Sequence, residues 1–216
     1  MQTRATLMVD HYQKTFELTY ELWRQRNRTF LLLLGVIGVA TLLTFRVPEA
    51  NSLLVDLVAK ALNVRDASRI EVLRKSFPFG ILQSILLFVV FYLMVNLYHR
   101  ALSVLRNFRY LGMLEAEIRE DLDLQEPTVS FSREGDFYWG NRGPVLGVVK
   151  WIYIVLLGAL LLSFLIGKSI DDVRTGSGIL IVVDAVMGIP TLFFFAAYVR
   201  SSIRLDRSAP EQEGIT

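Results

Sequence analysis

The chain has 216 residues and a formal net charge of only +2, with 53% hydrophobic and 20% charged residues. Such a weak charge argues against nucleic acid as a partner, and the absence of cysteine excludes disulfides, thiolate nucleophiles and Cys-ligated zinc. The mean hydropathy of +0.42 is only modestly high, but the apolar residues gather in four blocks and the charges lie between them. This distribution predicts an all-α integral membrane protein with four transmembrane helices, helical cytoplasmic extensions and a small β-hairpin.

Residues 1–28 are predicted to form a cytoplasmic amphipathic helix that continues directly into the first span. Apolar side chains recur there at helical spacing on one stripe, and no Gly or Pro interrupts the pattern: Met8, Tyr12, Phe16, Thr19 and Trp23. This stripe needs a covering surface. The simpler expectation is that it packs on a second helix outside the membrane, and the alternative is that it lies flat on lipid headgroups.

The first span is predicted at 29–45 and the second at 77–98, joined by an outer loop, 46–76, that contains a short helix. Gly35 and Gly38 in the first span would permit close approach of another helix. The loop helix is expected from Ala50 to Val64 and to end at Arg65-Asp66-Ala67-Ser68.

The apolar pattern continues after the second span and predicts a cytoplasmic helical stalk over 99–126. Its stripe consists of Val104, Phe108, Leu111, Leu114, Ile118 and Leu122. The acidic residues of the same segment are interpreted as a solvated helix face: Glu115, Glu117, Glu120, Asp121 and Asp123.

A small β-hairpin is predicted within 127–144, because apolar and polar residues alternate on both sides of Glu134-Gly135-Asp136. A lone hairpin is marginally stable in water, so its aromatic face is expected to dock on the stalks, on lipid or on a cytoplasmic protein partner. The candidate docking residues are Phe131, Arg133, Glu134, Phe137 and Trp139.

The third span is predicted at 145–167 and the fourth at 178–199, joined by an outer loop at 168–177 and followed by a cytoplasmic tail, 200–216. Lys168 is interpreted as marking the outer interface. Asp184 lies inside the fourth span, and Pro190 is expected to kink it.

Asp184 is the leading candidate for an intramembrane functional residue, because a carboxylate costs at least about 2.5–3.5 kcal/mol at the bilayer centre. A structural hydrogen bond or helix contact is the first interpretation, an ion or proton path the second, and an interfacial position the third. Gln83, Ser84 and Asn96 are polar groups in the second span that are expected to bridge helices. No motif predicts a catalytic residue, a cofactor or a metal ion.

Orientation is predicted from the basic residues that flank the spans. Of the 23 Lys and Arg residues, 15 lie before the first span, between the second and third, or after the fourth, with Lys150 at the entrance of the third span counted as a flank. Both termini are therefore expected in the cytoplasm, with the protein in the plasma (inner) membrane.

The run RYLGMLEAEIREDL (Arg109–Leu122), followed by FSREGDFYWG (Phe131–Gly140), resembles uncharacterised bacterial four-span membrane proteins. An amphipathic N-terminal helix joined to membrane spans is similar, over about the first half of the chain, to SLATT-type membrane effectors. Those effectors are associated with antiphage and nucleotide-signalling systems, and they usually have two spans where this chain has four. Neither resemblance carries over any functional residue.

Three functions are compatible with these predictions. The preferred one is a non-catalytic membrane protein that forms a homo-oligomer and acts as a scaffold, sensor or effector subunit through its cytoplasmic helices, with antiviral defence as one setting. The second is a small ion channel or transporter that uses Asp184, which predicts that this residue faces the interior of the bundle. An enzyme has no supporting motif.

Overall fold

A computed structural model describes residues 2–45, 48–61, 63–64, 66–77, 79–123, 144–176 and 178–207. This part of the chain is helical and contains no strand. The helices are α1 (Gln2–Thr44), α2 (Pro48–Ala61), α3 (Ala67–Ser76), α4 (Phe79–Asp121), α5 (Pro144–Thr175) and α6 (Gly178–Arg207). The hairpin predicted within 127–144 falls almost entirely outside the described residues.

Four of these helices, α1, α4, α5 and α6, are long and apolar enough to cross a membrane. The predicted continuity is confirmed for α1 and α4, because each is a single helix of 43 residues that includes both a span and its extension. Neither extension contains a proline, so the backbone hydrogen bonding of each helix continues without interruption from the span into its extension.

The segment between the first two spans contains two helices where the sequence predicted one. Helix α2 ends in a Schellman motif: Asn63 has a φ of 54°, and the Val64 amide donates to the Ala59 carbonyl at 2.8 Å. Asp66, which was interpreted as part of the helix end, is the N-cap of α3, since its carboxylate accepts from the Ser68 amide at 3.0 Å.

The connection between the last two spans is shorter than the predicted loop at 168–177. Helix α5 continues to Thr175, and Gly176, with a φ of +70°, closes it with a hydrogen bond from its amide to the Asp172 carbonyl at 3.1 Å. A left-handed residue at this position is one that glycine adopts without steric cost. As a result, Lys168 and Asp172 lie within a helix and not in a loop.

The chain divides into two compact units. Unit 1 comprises Met1–Phe30, Val95–Ile154 and Phe194–Thr216, and unit 2 comprises Leu31–Met94 and Val155–Phe193. Within unit 1, Phe30 meets Tyr153 edge-on at 5.7 Å between ring centroids, and Tyr98 contacts Phe194 at the same distance. The extensions of α1 and α4 belong to this unit.

Unit 2 has an apolar core and an apolar exterior. Its buried side chains recur every three or four residues along α1, α4 and α5: Leu33, Ile37, Ala40, Leu43, Leu87, Val90, Met94, Leu157, Leu161 and Phe164. The outward positions of the same helices are also apolar and are exposed, for example Leu31, Val39, Ile85, Phe88 and Leu162. A helix that is apolar all round is typical of a membrane span, because lipid covers the side that the protein does not.

Helix α6 has its polar and small residues inside and its apolar residues outside. Asp184, Gly188 and Thr191 are buried on one stripe, while Ile179, Val182, Val186 and Ile189 are exposed. This is the reverse of a soluble amphipathic helix, and it matches the small and polar residues that join helices in a bilayer.

Close approach of helices in unit 2 occurs at Gly167 and not at the two glycines that the sequence suggested. A Cβ added at Gly35 or Gly38 would meet nothing within 4 Å, whereas one at Gly167 would come within 2.5 Å of Thr44 Cγ2. The contact between α1 and α5 therefore depends on the absence of a side chain at Gly167.

A charged cluster in the membrane unit

Two buried ionisable residues lie one turn apart on α5. Lys168 and Asp172 are at positions i and i+4, so their side chains share one face of the helix. Both are buried: Lys168 is 1% exposed, and its Nζ donates to Asp172 Oδ1. They extend from the same helix face that packs the core residues Leu161 and Phe164.

The third ionisable residue is Asp184 on α6, which the tight turn at Gly176 brings back alongside α5. Lys168 Nζ lies 2.7 Å from Asp184 Oδ2, and Asp184 is 8% exposed. The Ser84 hydroxyl of α4 donates to the same Oδ2 at 3.0 Å. Lys168, Asp172, Asp184 and Ser84, called the charged cluster from here on, thus join three membrane helices.

The charged cluster is buried among apolar side chains, where unpaired charge is costly. An ion pair buried in this way gains little over a well-packed apolar pair, but removing one partner typically costs about 3–5 kcal/mol, since it leaves the other charge buried and uncompensated. The Oδ1 atom of Asp184 has no hydrogen-bond partner among the described residues and is closed to solvent. The cluster is therefore held together by its ion pairs and is not fully satisfied by them.

The sequence left three interpretations of Asp184 open, and the structure shows which groups its side chain contacts. It faces the interior of unit 2 and contacts α4 and α5, which is the helix contact of the first interpretation. Lys168, which was interpreted as marking the outer interface, is buried, and its ammonium is directed at two carboxylates.

Of the other predicted intramembrane residues, Gln83 is the neighbour of a cluster member and Asn96 belongs to the other unit. Gln83 precedes Ser84 on α4 and is 1% exposed, and its Oε1 has no hydrogen-bond partner in the described part of the chain. Asn96 belongs to unit 1 and is half-buried. Pro190 lies inside α6, where it removes one backbone donor to the preceding turn, and next to it Thr191 donates its hydroxyl to the Met187 carbonyl at 2.7 Å.

The candidate docking residues of the hairpin, Phe131, Arg133, Glu134, Phe137 and Trp139, lie outside the described residues.

Unit 1 contains a second polar contact between helices, between the extensions of α1 and α4. The Tyr12 hydroxyl donates to Glu115 Oε1 at 2.7 Å, and His11 Nε2 is 2.8 Å from the Tyr110 hydroxyl. The two stalks thus contact each other, as their stripes predicted, but Trp23 and Leu122 of those stripes are exposed. The interpretation of Glu115 as part of a solvated helix face is wrong, because Glu115 is 2% exposed and belongs to the packed face. The remaining acidic residues of its cluster are exposed.

Sequence reasoning missed Lys168 and Asp172 as members of the site. The signal was present, because no residue from Lys168 to Thr175 breaks a helix and the first glycine after them is Gly176. Ending the helix at Gly167 placed both charges in a loop. Extending it to Gly176 places them at i,i+4 spacing opposite the only charged residue of the fourth span.

The fold and this site define an all-α chain with four helices of membrane-spanning length and composition, which carry a charged cluster between them. No protein-family model, no curated protein and no solved structure matches the chain.

Proposed function

We propose that this chain is a non-catalytic multi-pass membrane protein that acts as an oligomeric scaffold, sensor or effector subunit through the helices extending beyond its spans. The observation that carries the proposal is the paired stalk of unit 1, in which the half-buried Tyr12 of α1 donates a hydrogen bond to the buried Glu115 of α4. A protein that only conducts or transports a solute has no need of two such extensions.

The outer surface of the stalk supports a role in binding. Apolar side chains remain exposed on it at several turns, namely Leu7, Leu18, Tyr20, Met113 and Leu122. Exposed apolar patches on a soluble part of a protein are typical of surfaces that bind another protein or lipid. A second copy of the chain is the partner proposed first.

The proposed setting is the plasma (inner) membrane, with the stalk and both termini in the cytoplasm. It rests on the basic flanks of the spans, which hold 15 of the 23 Lys and Arg residues on the stalk side. The hairpin predicted within 127–144 would then present Arg133 and Glu134 to a cytoplasmic partner. The similarity to SLATT-type effectors suggests antiviral defence as the process.

A small ion channel or transporter is the second candidate, and the charged cluster favours it. Ionisable residues within membrane helices commonly mark ion or proton pathways. Asp184 meets the requirement of this candidate that it face the interior of the helices.

Oligomeric mass and ion flux, measured on the same preparation, separate the two candidates. The chain is purified in detergent for native mass measurement and reconstituted in liposomes for flux, as wild type, Leu18→Glu and Asp184→Asn. A scaffold is expected to form a defined closed oligomer without flux, and Leu18→Glu should dissociate it, because a charge replaces exposed apolar surface at the proposed contact.

The matched control is Glu17→Gln, which alters charge at the neighbouring exposed position without removing apolar surface. A wild-type chain that stays monomeric at every concentration would contradict the oligomeric scaffold. Flux that is present in the wild type and lost in Asp184→Asn, with the oligomer intact, would select the channel.

A further inference from the structure

The charged cluster carries more negative than positive charge. It contains two carboxyl groups, Asp172 and Asp184, and one ammonium group, Lys168, so its formal charge is −1 when all three are ionised. An uncompensated charge in a water-excluded site is strongly unfavourable. One more positive charge within the cluster would remove the imbalance.

Among the described residues of α1, α4 and α6 in this unit, no basic side chain supplies that charge. In unit 2, the membrane portions of α1 (31–44) and α4 (79–94) contain no charged residue, and Asp184 is the only one in α6 up to Phe193. The polar group that α4 directs at the cluster is the uncharged Ser84 hydroxyl. Helix α5 adds Asp171 and Arg174, both more exposed than Asp172.

The two carboxyl groups are also neighbours, because the same Lys168 ammonium contacts Asp172 through Oδ1 and Asp184 through Oδ2. Ionised carboxylates only accept hydrogen bonds, so a bond between two of them requires that one carry a proton. The Oδ1 atom of Asp184 is available for this bond, because it is buried and has no partner in the described part of the chain, while Oδ2 is engaged by Lys168 and Ser84.

We propose that Asp172 and Asp184 share one exchangeable proton next to Lys168, which makes the α5–α6 hairpin a proton-binding site of the membrane unit. The bound proton brings the cluster to neutrality, and its release leaves the cluster with one negative charge. This site does not depend on the oligomeric scaffold proposed above, and it gives the channel or transporter candidate a specific ligand.

A proton fits this position better than a metal cation. The space between the carboxylates is already held by the Lys168 ammonium, which contacts both of them. Asp184 Oδ1 is closed to solvent, and a proton requires no additional volume.

The site lies within reach of the outer end of the hairpin. Asp184 lies six positions after Gly178, the first residue of α6, which corresponds to about 9 Å of helix at 1.5 Å per residue. A proton could therefore exchange with water at the turn near Gly176 by a modest opening of this end.

Infrared difference spectroscopy of the full chain in lipid nanodiscs, titrated between about pH 5 and pH 9, tests the proposal directly. Exposed carboxyl groups titrate near pH 4 and are already ionised over this range. We expect the C=O stretch of one protonated carboxyl group per chain, shifted in D2O and lost as the pH rises. Both Asp172→Asn and Asp184→Asn should abolish the band, and the control Asp171→Asn should retain it.

Ser84→Ala serves as a second variant, because it keeps every charged group of the cluster. Removing the hydroxyl takes a hydrogen-bond donor from Asp184 Oδ2, so the band should persist and its midpoint should move to higher pH. A wild-type chain without the band would overturn the proposal. A band that survives in both Asn variants would overturn it as well. A thermal unfolding midpoint that rises with Na⁺ but not with choline would also overturn it, because the missing positive charge would then be a metal ion.

Discussion

At the level of single residues, Gly167 shows how closely the membrane helices of unit 2 are fitted together. A Cβ there would lie 2.5 Å from Thr44 Cγ2, a distance that atoms cannot adopt without displacement. Thr44 cannot easily rotate away, because it is β-branched and its Oγ1 donates to the Ala40 carbonyl at 2.8 Å. The α1–α5 contact is therefore specified by a pair of residues that lie in different spans.

We predict that Gly167→Ala lowers the stability of the folded chain by about 1–3 kcal/mol, the usual cost of overpacking a core. Thr44→Ser in the same chain should recover most of the loss, because it removes the clashing methyl group and keeps the hydroxyl. The measurement is the thermal unfolding midpoint in detergent. Gly80→Ala is the control, since its Cβ would be 3.8 Å from the nearest atom, Leu180 Cδ1; an equal loss in both glycine variants would contradict the steric explanation.

At the level of secondary structure elements, the stalk is formed by two helices that each continue from a membrane span. Their contact has an apolar part, with Leu111, Leu114 and Ile118 buried on α4, and a polar part at Tyr12 and Glu115. A buried carboxylate accepts a hydrogen bond only from donors in the correct position, so this polar contact fixes the register of α1 on α4.

We predict that Tyr12→Phe weakens the pairing of the stalk helices by about 1.5–3 kcal/mol, the range for a hydrogen bond to a charged group. In the Glu115→Met background the same change should have little effect, because the carboxylate that needs the donor is gone. Amide hydrogen exchange of α1 over 8–20 measures the pairing.

The control for this double-mutant comparison is Tyr20→Phe. It removes a hydroxyl from an exposed ring of the same helix, and this ring stacks on Trp23. Additive effects of Tyr12→Phe and Glu115→Met would show that the two side chains do not act on each other, and the proposed register contact would then fail.

At the level of the whole molecule, the pattern of exposure separates a membrane protein from a soluble helical one. Unit 2 exposes apolar side chains on α1, α4, α5 and α6, and the buried stripe of α6 is made of polar and small residues. In water such an arrangement would leave a large apolar surface uncovered. In a bilayer it is favourable, because lipid covers the apolar exterior and the polar residues join the helices.

We predict that the stalk and the α2–α3 segment lie on opposite sides of the membrane. The chain has no cysteine, so single-cysteine variants report topology without background. Val72→Cys on α3 and Leu7→Cys on α1 change exposed positions, and a membrane-impermeant maleimide should label the first in intact cells and the second only after permeabilisation. The opposite labelling would reverse the orientation, and labelling of both in intact cells would contradict the four-span arrangement.

The sequence by itself determined the helical class and the four membrane spans, because the length and apolar composition of a span are properties of one continuous segment of the chain. It also determined the continuity of α1 and α4, since an apolar stripe at helical spacing that no proline interrupts is sufficient to predict a helix. Within the site it identified Asp184, because a carboxylate in an apolar run is conspicuous wherever it packs.

Only the tertiary structure decided what Asp184 contacts. The Lys168–Asp172–Asp184 cluster requires that α6 return with the correct face toward α5, and the rotation of a helix against its neighbour is not encoded in its local pattern. The burial of Glu115 and the close contact at Gly167 have the same origin. Each depends on a residue far away in the chain, Tyr12 or Thr44, and such contacts are formed by packing.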